Sequence, residues 1–527
     1  MSLSPVEFPE LVIGIAGPIG VDIEAITACL RSILKEMEYQ TQEIKLTEAM
    51  RAFPVEIAEP SPADFFRTMA YKMDYANEIR KKYKTPEIMA NIGIREIQNT
   101  RRALNNNLGK KPDSILERTA YLVRQFKTPA EIELLRRVYG RQFILVSAYG
   151  SEAERRKRIE TRIRGGLRLT VSDSEVAEKV QTLISRDQSE GTARYGQQLR
   201  DTFHLADVFV DGINRQEMDR KIRRFINALF GRNDISPSKE EYGMYAAKSA
   251  SLRSADLSRQ VGAAIISDDG DIISQGCNEV PKAFGGTYWD SEEPDHRDIQ
   301  IQLDPNDLHK KELLRDILER LDQTGYLSDK APGPESFTLL VDALLRKAPD
   351  GEEDGALVGA EVMDVTEYGR VVHAEMCAIC DAARTGRSVK GSILYCTTFP
   401  CHNCTKHILS AGIRKVVYME PYPKSKAREL HGNEIALEEE IPGRVSFVPF
   451  LGISPFRYRD IFQKGRRKNR DGTAARWYSG KPRPQIDFLV PTTADSESFA
   501  IMVLLGDMTA PVDKIDPITN PGPSPAD

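Results

Sequence analysis

Four side chains in two short stretches have the types and spacing for metal-assisted hydrolysis. They are His373 and Glu375 in His373-Ala-Glu375, and Cys401 and Cys404 in Pro400-Cys401-His-Asn-Cys404. Two cysteines three apart at the start of a helix share one face. Zinc takes them as thiolates, and a helix N-terminus favours that negative charge. His373 adds a neutral imidazole. Three protein ligands leave the fourth tetrahedral position to water, the layout of a catalytic centre. Zinc brings the pKa of such a water down towards ~7. Glu375, on the same turn as His373, is placed to move its proton. The competing reading is a closed structural site, with Cys377, Cys380 or His402 as fourth ligand. Otherwise Cys277, Cys377, Cys380 and Cys396 are read as core, with a redox or second-metal role as the other reading of Cys377 and Cys380, and His407 as structural.

The elements that must hold these groups follow from pattern. A helix is expected over 373–384, a strand over 392–396, a helix over 401–411 stopped by Gly412, and a strand over 415–419. Upstream, strands over 261–267 and 272–277 flank the Asp268-Asp-Gly270-Asp hairpin turn, after a helix over 239–252. The first third alternates strands (11–16, 119–126, 143–147, 207–211) with helices (21–37, 129–138, 215–230). That alternation predicts a parallel sheet covered on both faces. Gly, Asn, Ser and Pro over 231–237 mark a boundary. The expected domains are 1–232, 236–455 with an insertion at about 290–369, and a C-terminal extension and tail over 456–527. The last ~20 residues, rich in Pro and Asp, read as poorly ordered.

Composition narrows the class. The chain has 527 residues, 40% hydrophobic and 29% charged, with a net charge of −5, which describes a globular protein rather than a basic nucleic-acid coat. No apolar run is long enough to span a membrane. The first ten residues lack the pattern of a secretory signal. Five of the seven cysteines fall between Cys377 and Cys404, which fits metal chemistry in a reducing compartment. A cytoplasmic location is expected.

His-x-Glu followed by Pro-Cys-x-x-Cys is the signature of the zinc nucleobase deaminases. Residues 240–425 resemble the deoxycytidylate deaminase family more fully, through Tyr245-Ala-Ala-Lys-Ser249, Arg259-Gln-Val-Gly262-Ala, Gly276-Cys-Asn278-Glu-Val-Pro281 and the two zinc stretches. The resemblance implies a cytidine-deaminase-like α/β/α fold with a central sheet. It also implies conversion of deoxycytidine nucleotide to deoxyuridine nucleotide with release of ammonia. It implies Asn278 as the residue that holds the sugar. Lys282, Arg259 and Lys424 are candidates for phosphate, each with an equal reading as a solvated charge. The insertion at 290–369 is expected to cover the pocket, read the phosphate tail or mediate assembly.

Residues 11–22, Arg155-Arg-Lys-Arg158 and Arg186-Asp187 resemble the P-loop, lid and later motif of nucleotide and nucleoside kinases. An intact P-loop ends Gly-Lys-Ser/Thr. Here Gly17 and Gly20 are followed by Val21 and Asp22, so the phosphate-binding lysine and the magnesium-binding hydroxyl are both missing. Asp22 would repel a phosphate. The expected role is nucleotide sensing or a scaffold, with a nucleotide effector as a possible partner. A P-loop kinase-like domain ahead of a deoxycytidylate-type deaminase is similar in architecture to the bacterial anti-phage dCTP deaminases. That resemblance implies deamination of dCTP, and often dCMP, with activity held off until infection. It also implies a homo-oligomer. The alternative is a deaminase that edits RNA or single-stranded DNA, for which 456–459, 465–468 and 477–478 are the candidate basic and aromatic segments. The same tail could instead bind a regulatory RNA or protein.

Overall fold

A computed structural model describes residues 6–61, 64–166, 172–188, 196–327, 337–348, 354–365, 368–421, 425–465, 467–474, 482–485 and 493–505. The chain divides into two compact units. One is Met1–Leu205 with Lys481–Asp527, the other Ala206–Gly480. Both are α/β, the class expected.

In the first unit, β1 (Leu11–Ala16), β2 (Gln40–Lys45), β3 (Thr119–Phe126) and β4 (Phe143–Tyr149) form a parallel sheet in the order β4-β1-β3-β2. The central strand β1 is apolar and wholly buried, as a strand covered on both faces must be. The edge strand β2, Gln-Thr-Gln-Glu-Ile-Lys, buries only Ile44. Helix Pro129–Tyr139 starts with a capping box between Thr128 and Glu131, with proline in its first turn. Glu131 also receives a 2.7 Å bond from the buried Arg80. Buried Arg101, on helix Ile88–Asn107, bonds Glu10 at 2.7 Å and Glu497 at 2.5 Å. Glu497 lies on helix Thr493–Ile501, so the C-terminal segment completes the unit in which the chain began. Residues 506–527, most of the expected tail, lie outside the described residues.

In the second unit, β5 (Val208–Asp211) pairs antiparallel with β12 (Gly452–Ile453). Between them in sequence lie β6 (Gly262–Ile266), β7 (Ile272–Cys277), β8 (Ile393–Thr398), β9 (Lys415–Glu420), β10 (Ile435–Leu437) and β11 (Val445–Pro449). These form a six-stranded sheet in the order β10-β11-β9-β8-β6-β7. The β6–β7 hairpin and the β6–β8 pair are antiparallel, and the rest is parallel. Two strand glycines set how closely helices approach. A Cβ on Gly262 would lie 2.0 Å from the Ala247 carbonyl oxygen, and one on Gly276 would lie 2.3 Å from that of Ala374. Only glycine allows such contact, and Gly276 thereby seats the helix that follows His373.

The 290–369 insertion builds helices Asp298–Ile301, Pro305–Gln323 and Phe337–Leu344. Asn306 Nδ2 donates to the Val365 carbonyl at 3.0 Å, and Lys310 Nζ to that of Met363 at 2.9 Å. These bonds close the segment on itself.

Candidate metal centre and its cavity

His373 caps helix Ala374–Arg384, and Cys401 caps helix His402–Ser410. The first helix is fixed at its entry by an antiparallel bridge between Glu279 and Val372. The second follows β8 through Pro400. Cys401 Sγ accepts the Cys404 backbone N–H at 3.4 Å, so the thiolate is also the helix cap. Nδ1 of His373 lies 3.3 Å from Cys401 Sγ and 3.5 Å from Cys404 Sγ. The three donor atoms all lie within 4.8 Å of one another. Zn–S bonds of ~2.3 Å and Zn–N bonds of ~2.0 Å at tetrahedral angles place S and N about 3.5 Å apart. The donor set and its spacing therefore fit zinc. Among the described residues no other such group of His, Cys, Asp and Glu occurs.

The side chains polarise one another. Hydrogen bonds from Cys404 and His373 hold the Cys401 thiol down to about 3, although burial opposes this. His373, bonded to that thiolate, is pushed up to about 9. Cys404 is raised by its bond to Cys401 and by burial. Glu375 is 4% exposed, and its carboxyl is raised chiefly by burial. Cys404 Sγ donates to its Oε2 at 3.5 Å. A buried carboxyl of raised pKa beside a metal triad suits general acid–base work near neutrality.

A cavity of about 220 Å³ opens on this centre and is lined by His373, Glu375, Cys401, Asn278 and Arg259. Asn278 is tied by backbone at both ends of its amide. Its Oδ1 accepts the Val261 N–H at 2.7 Å, and its Nδ2 donates to the Arg259 carbonyl at 2.8 Å. One further N–H and one lone pair remain to meet a ligand. Arg259 pairs with Glu420 at 3.2 Å. Lys282 pairs with Glu292 and is not among the residues lining the cavity. Lys424 lies outside the described residues. Of the cysteines read as core, Cys277, Cys377 and Cys396 are buried, whereas Cys380 is exposed. None of these four belongs to the group that could hold a metal ion.

Sequence reasoning missed part of the lining. Asp298, Asp304, Asn306 and Asp364 come from the insertion, and Arg370 from the segment just before His373. Arg370 Nη2 donates to Asp298 Oδ1 at 2.6 Å and to the His296 carbonyl at 2.7 Å. A charged residue three positions before a metal ligand was the available signal.

The glycine turn of the first unit is also placed. Gly17, Gly20 and Val21 line a separate cavity of about 280 Å³. Asp22 caps helix Ile23–Glu36, accepting the Ala25 N–H at 3.0 Å.

Residues 237–420 match the family model of the cytidine and deoxycytidylate deaminase zinc-binding region. His373, Cys401 and Cys404, the group that could hold a metal ion, fall within that matched stretch. The chain is 49% identical over 55 residues to the deoxycytidylate deaminase of enterobacteria phage T2, a stretch covering 10% of this chain and 29% of the relative. It is 43% identical over 90 residues to the deoxycytidylate deaminase of Mus musculus, covering 17% and 46%. The chain thus spans less than half the length of these curated relatives. Among solved structures, the dCMP deaminase of cyanophage S-TIM5 with dCMP and dUMP is similar at 19% identity and TM-score 0.22, over 41% of this chain and all of that one. A gluconokinase from Sinorhizobium meliloti 1021 is similar at 13% identity and TM-score 0.22, over 43% and 98%. Scores at this level carry no weight for activity. No helix among the described residues is long and apolar enough to cross a membrane.

Proposed function

We propose that this protein is a zinc-dependent hydrolytic deaminase of free cytosine deoxynucleotides, converting dCTP, dCMP or both to the uracil nucleotide and ammonia. The observation that carries this is the buried Glu375 beside a His-Cys-Cys triad at one small cavity. Zinc, when bound, supplies the Lewis acidity that makes water a nucleophile at neutral pH. The chain does the rest. Glu375 takes one proton of the attacking water and delivers it to the ring nitrogen, then moves the second, from the hydroxyl now on the ring carbon, to the amine, which departs as ammonia and leaves the carbonyl. Asn278 holds the sugar through its remaining N–H. Arg370 and Arg259 are the arginines of the cavity lining, and they meet the phosphates.

The relatives' names support a deoxycytidine nucleotide substrate, and the limited volume supports a free one. The segment 456–459 suits a nucleic-acid channel poorly. Arg457 is buried against Asp207 at 2.8 Å, and Tyr458 stacks on Tyr245 at 3.9 Å. Residues 475–480, which include the 477–478 pair, lie outside the described residues. We further infer a cytoplasmic homo-oligomer that depletes dCTP in defence against phage, controlled through a nucleotide, RNA or protein effector.

The test is a panel of deoxynucleotides incubated with zinc-loaded protein. dUTP or dUMP and ammonia should appear from the cytosine members alone. Turnover of cytosine in oligonucleotides but in no free nucleotide would replace this reading with the polynucleotide-editing one.

A further inference from the structure

The insertion builds one helix that is only half packed. Helix Pro305–Gln323 buries Asn306, Lys310 and Leu314, a single row at i, i+4 and i+8. Asn306 is held at both ends of its amide, by the Val365 carbonyl at 3.0 Å and the Tyr368 N–H at 3.3 Å. Lys310 reaches the Met363 carbonyl at 2.9 Å, and Lys311 pairs with Asp342 of helix Phe337–Leu344 at 2.7 Å. These anchors all lie before Leu314. From Arg315 to Gln323 no residue of the helix is buried.

The second half is nonetheless apolar on one side. Leu313, Ile317 and Leu321 recur at i, i+4 and i+8, and each is between 36% and 47% exposed. The helix keeps its form to the end. Gly325 takes a φ of +74°, its N–H bonds the Asp322 carbonyl at 2.9 Å, and the Tyr326 N–H bonds that of Leu321 at 2.9 Å, the bonds of a Schellman stop. An amphipathic helix draws most of its stability from burying such a face. A row at i±4 is also the ridge by which one helix packs on another.

The border of this row carries its own complement. Glu312, Asp316 and Arg320 form the neighbouring row, each one position ahead of Leu313, Ile317 and Leu321. Asp316 and Arg320 are 56% and 74% exposed and meet at 2.9 Å within the helix. Two copies of the helix packed antiparallel about a two-fold axis at Ile317 set Leu313 of one against Leu321 of the other. The charged border then faces itself reversed, and Arg320 of each copy lies between Glu312 and Asp316 of the other. Parallel packing would oppose Asp316 to Asp316 and Arg320 to Arg320. The charges therefore fit a second copy in one direction, as an isologous contact requires.

We propose that this row is the surface on which a second copy of the chain docks, antiparallel, with Ile317 at the two-fold axis. The contact gives the homo-oligomer inferred above an interface; it rests on that reading and not on the deaminase chemistry. The same helix carries Asn306 on the wall of the metal-centre cavity, so one element serves both assembly and the site.

Sedimentation equilibrium of the full-length zinc-loaded protein tests it, with mass as the readout. The wild-type chain should sediment as more than one copy. Ile317→Asp, at an exposed position, should weaken self-association at least tenfold and shift the mass to a smaller species. Asp316→Arg and Arg320→Asp should each do the same, because like charges then face one another. An equimolar mixture of these last two should recover the wild-type mass, since one variant offers only cations at the two positions and the other only anions. That recovery also guards against a folding failure of either. A wild-type mass that none of the three variants moves would overturn this surface and leave the homo-oligomer standing. A mixture that stays apart would overturn the antiparallel pairing. A monomeric wild-type chain would overturn both this surface and the homo-oligomer. Because only mass is read, each of these failures is separate from failure of the deamination assay.

Discussion

The two units each lead a strand through a tight turn into a helix, and the turns have opposite fates. Pro400–Cys404 keeps Cys401 and Cys404 together beside His373, with Cys401 on the wall of a cavity. Gly17–Asp22 has turned inward, with Ile19 N–H bound to Asp187 and Asp22 spent on capping its own helix. Both stretches resemble functional motifs in sequence. What separates them is whether the groups that could bind a ligand are already bound by the protein. Spacing states which chemistry a turn could do. The partners of its donors state whether the turn is available to do it.

Breaking the open turn should have the largest effect. Cys404→Ala removes a ligand, and zinc content measured by atomic absorption should fall to near zero together with turnover. Glu375→Ala should leave zinc in place while deamination drops by roughly 10²–10⁴-fold. Loss of zinc in that variant would recast Glu375 as a structural support. Proton competition comes next. His373 and Cys404 are both raised, so both carry protons near pH 7 in the metal-free chain, whereas Cys401, held at about 3, does not. Zinc uptake should release about two protons, and affinity should fall as pH falls, by up to about a hundredfold per unit. A pH-independent affinity between 6 and 8 would refute the assignment of these two ligands. Arg370→Gln should raise KM for dCMP and dCTP by about tenfold with kcat little changed, and leave deoxycytidine turnover as it was. Equal losses on nucleotide and nucleoside would mean that Arg370 only braces Asp298. The smallest effect is expected in the closed turn. Val21→Lys with Asp22→Ser rebuilds the missing P-loop residues, yet calorimetry should detect no ATP binding while Asp187 and Lys127 remain paired.

The same contrast explains what was legible in the sequence. Strands β1, β3 and β7 stand at their expected bounds: β1 is a continuous apolar run ended by turn residues, β3 is largely one, and β7 is set by the Asp268-Asp-Gly270-Asp turn that precedes it. The metal triad was legible because its chemistry demands particular residue types at close spacing. Strand β2 was missed, since an edge strand of Gln, Thr and Glu has no apolar alternation to reveal it. Helices Phe65–Tyr83 and Ile88–Asn107 were missed as well. The first has a mixed lining face, and the second buries Asn91, Gln98, Arg101 and Asn105, so its buried face is not an apolar stripe. The Arg370–Asp298 contact joins residues 72 apart, a distance across which local pattern says nothing. The role of Asp187 was hidden for the same reason, being 168 residues from Ile19.

The pairing of Arg101 with both Glu10 and Glu497 bears on how the protein is made. Synthesis proceeds at roughly 5–20 residues per second, so the interval between translating Arg101 and Glu497 is on the order of tens of seconds. Through that interval a nascent chain has only Glu10 to neutralise the guanidinium and lacks the helix that covers it. A ribosome that stalls, or a protease that clips ahead of residue 493, would leave the N-terminal unit without a piece of its own interior. Completion of the polypeptide is therefore a condition for finishing the part that emerged first.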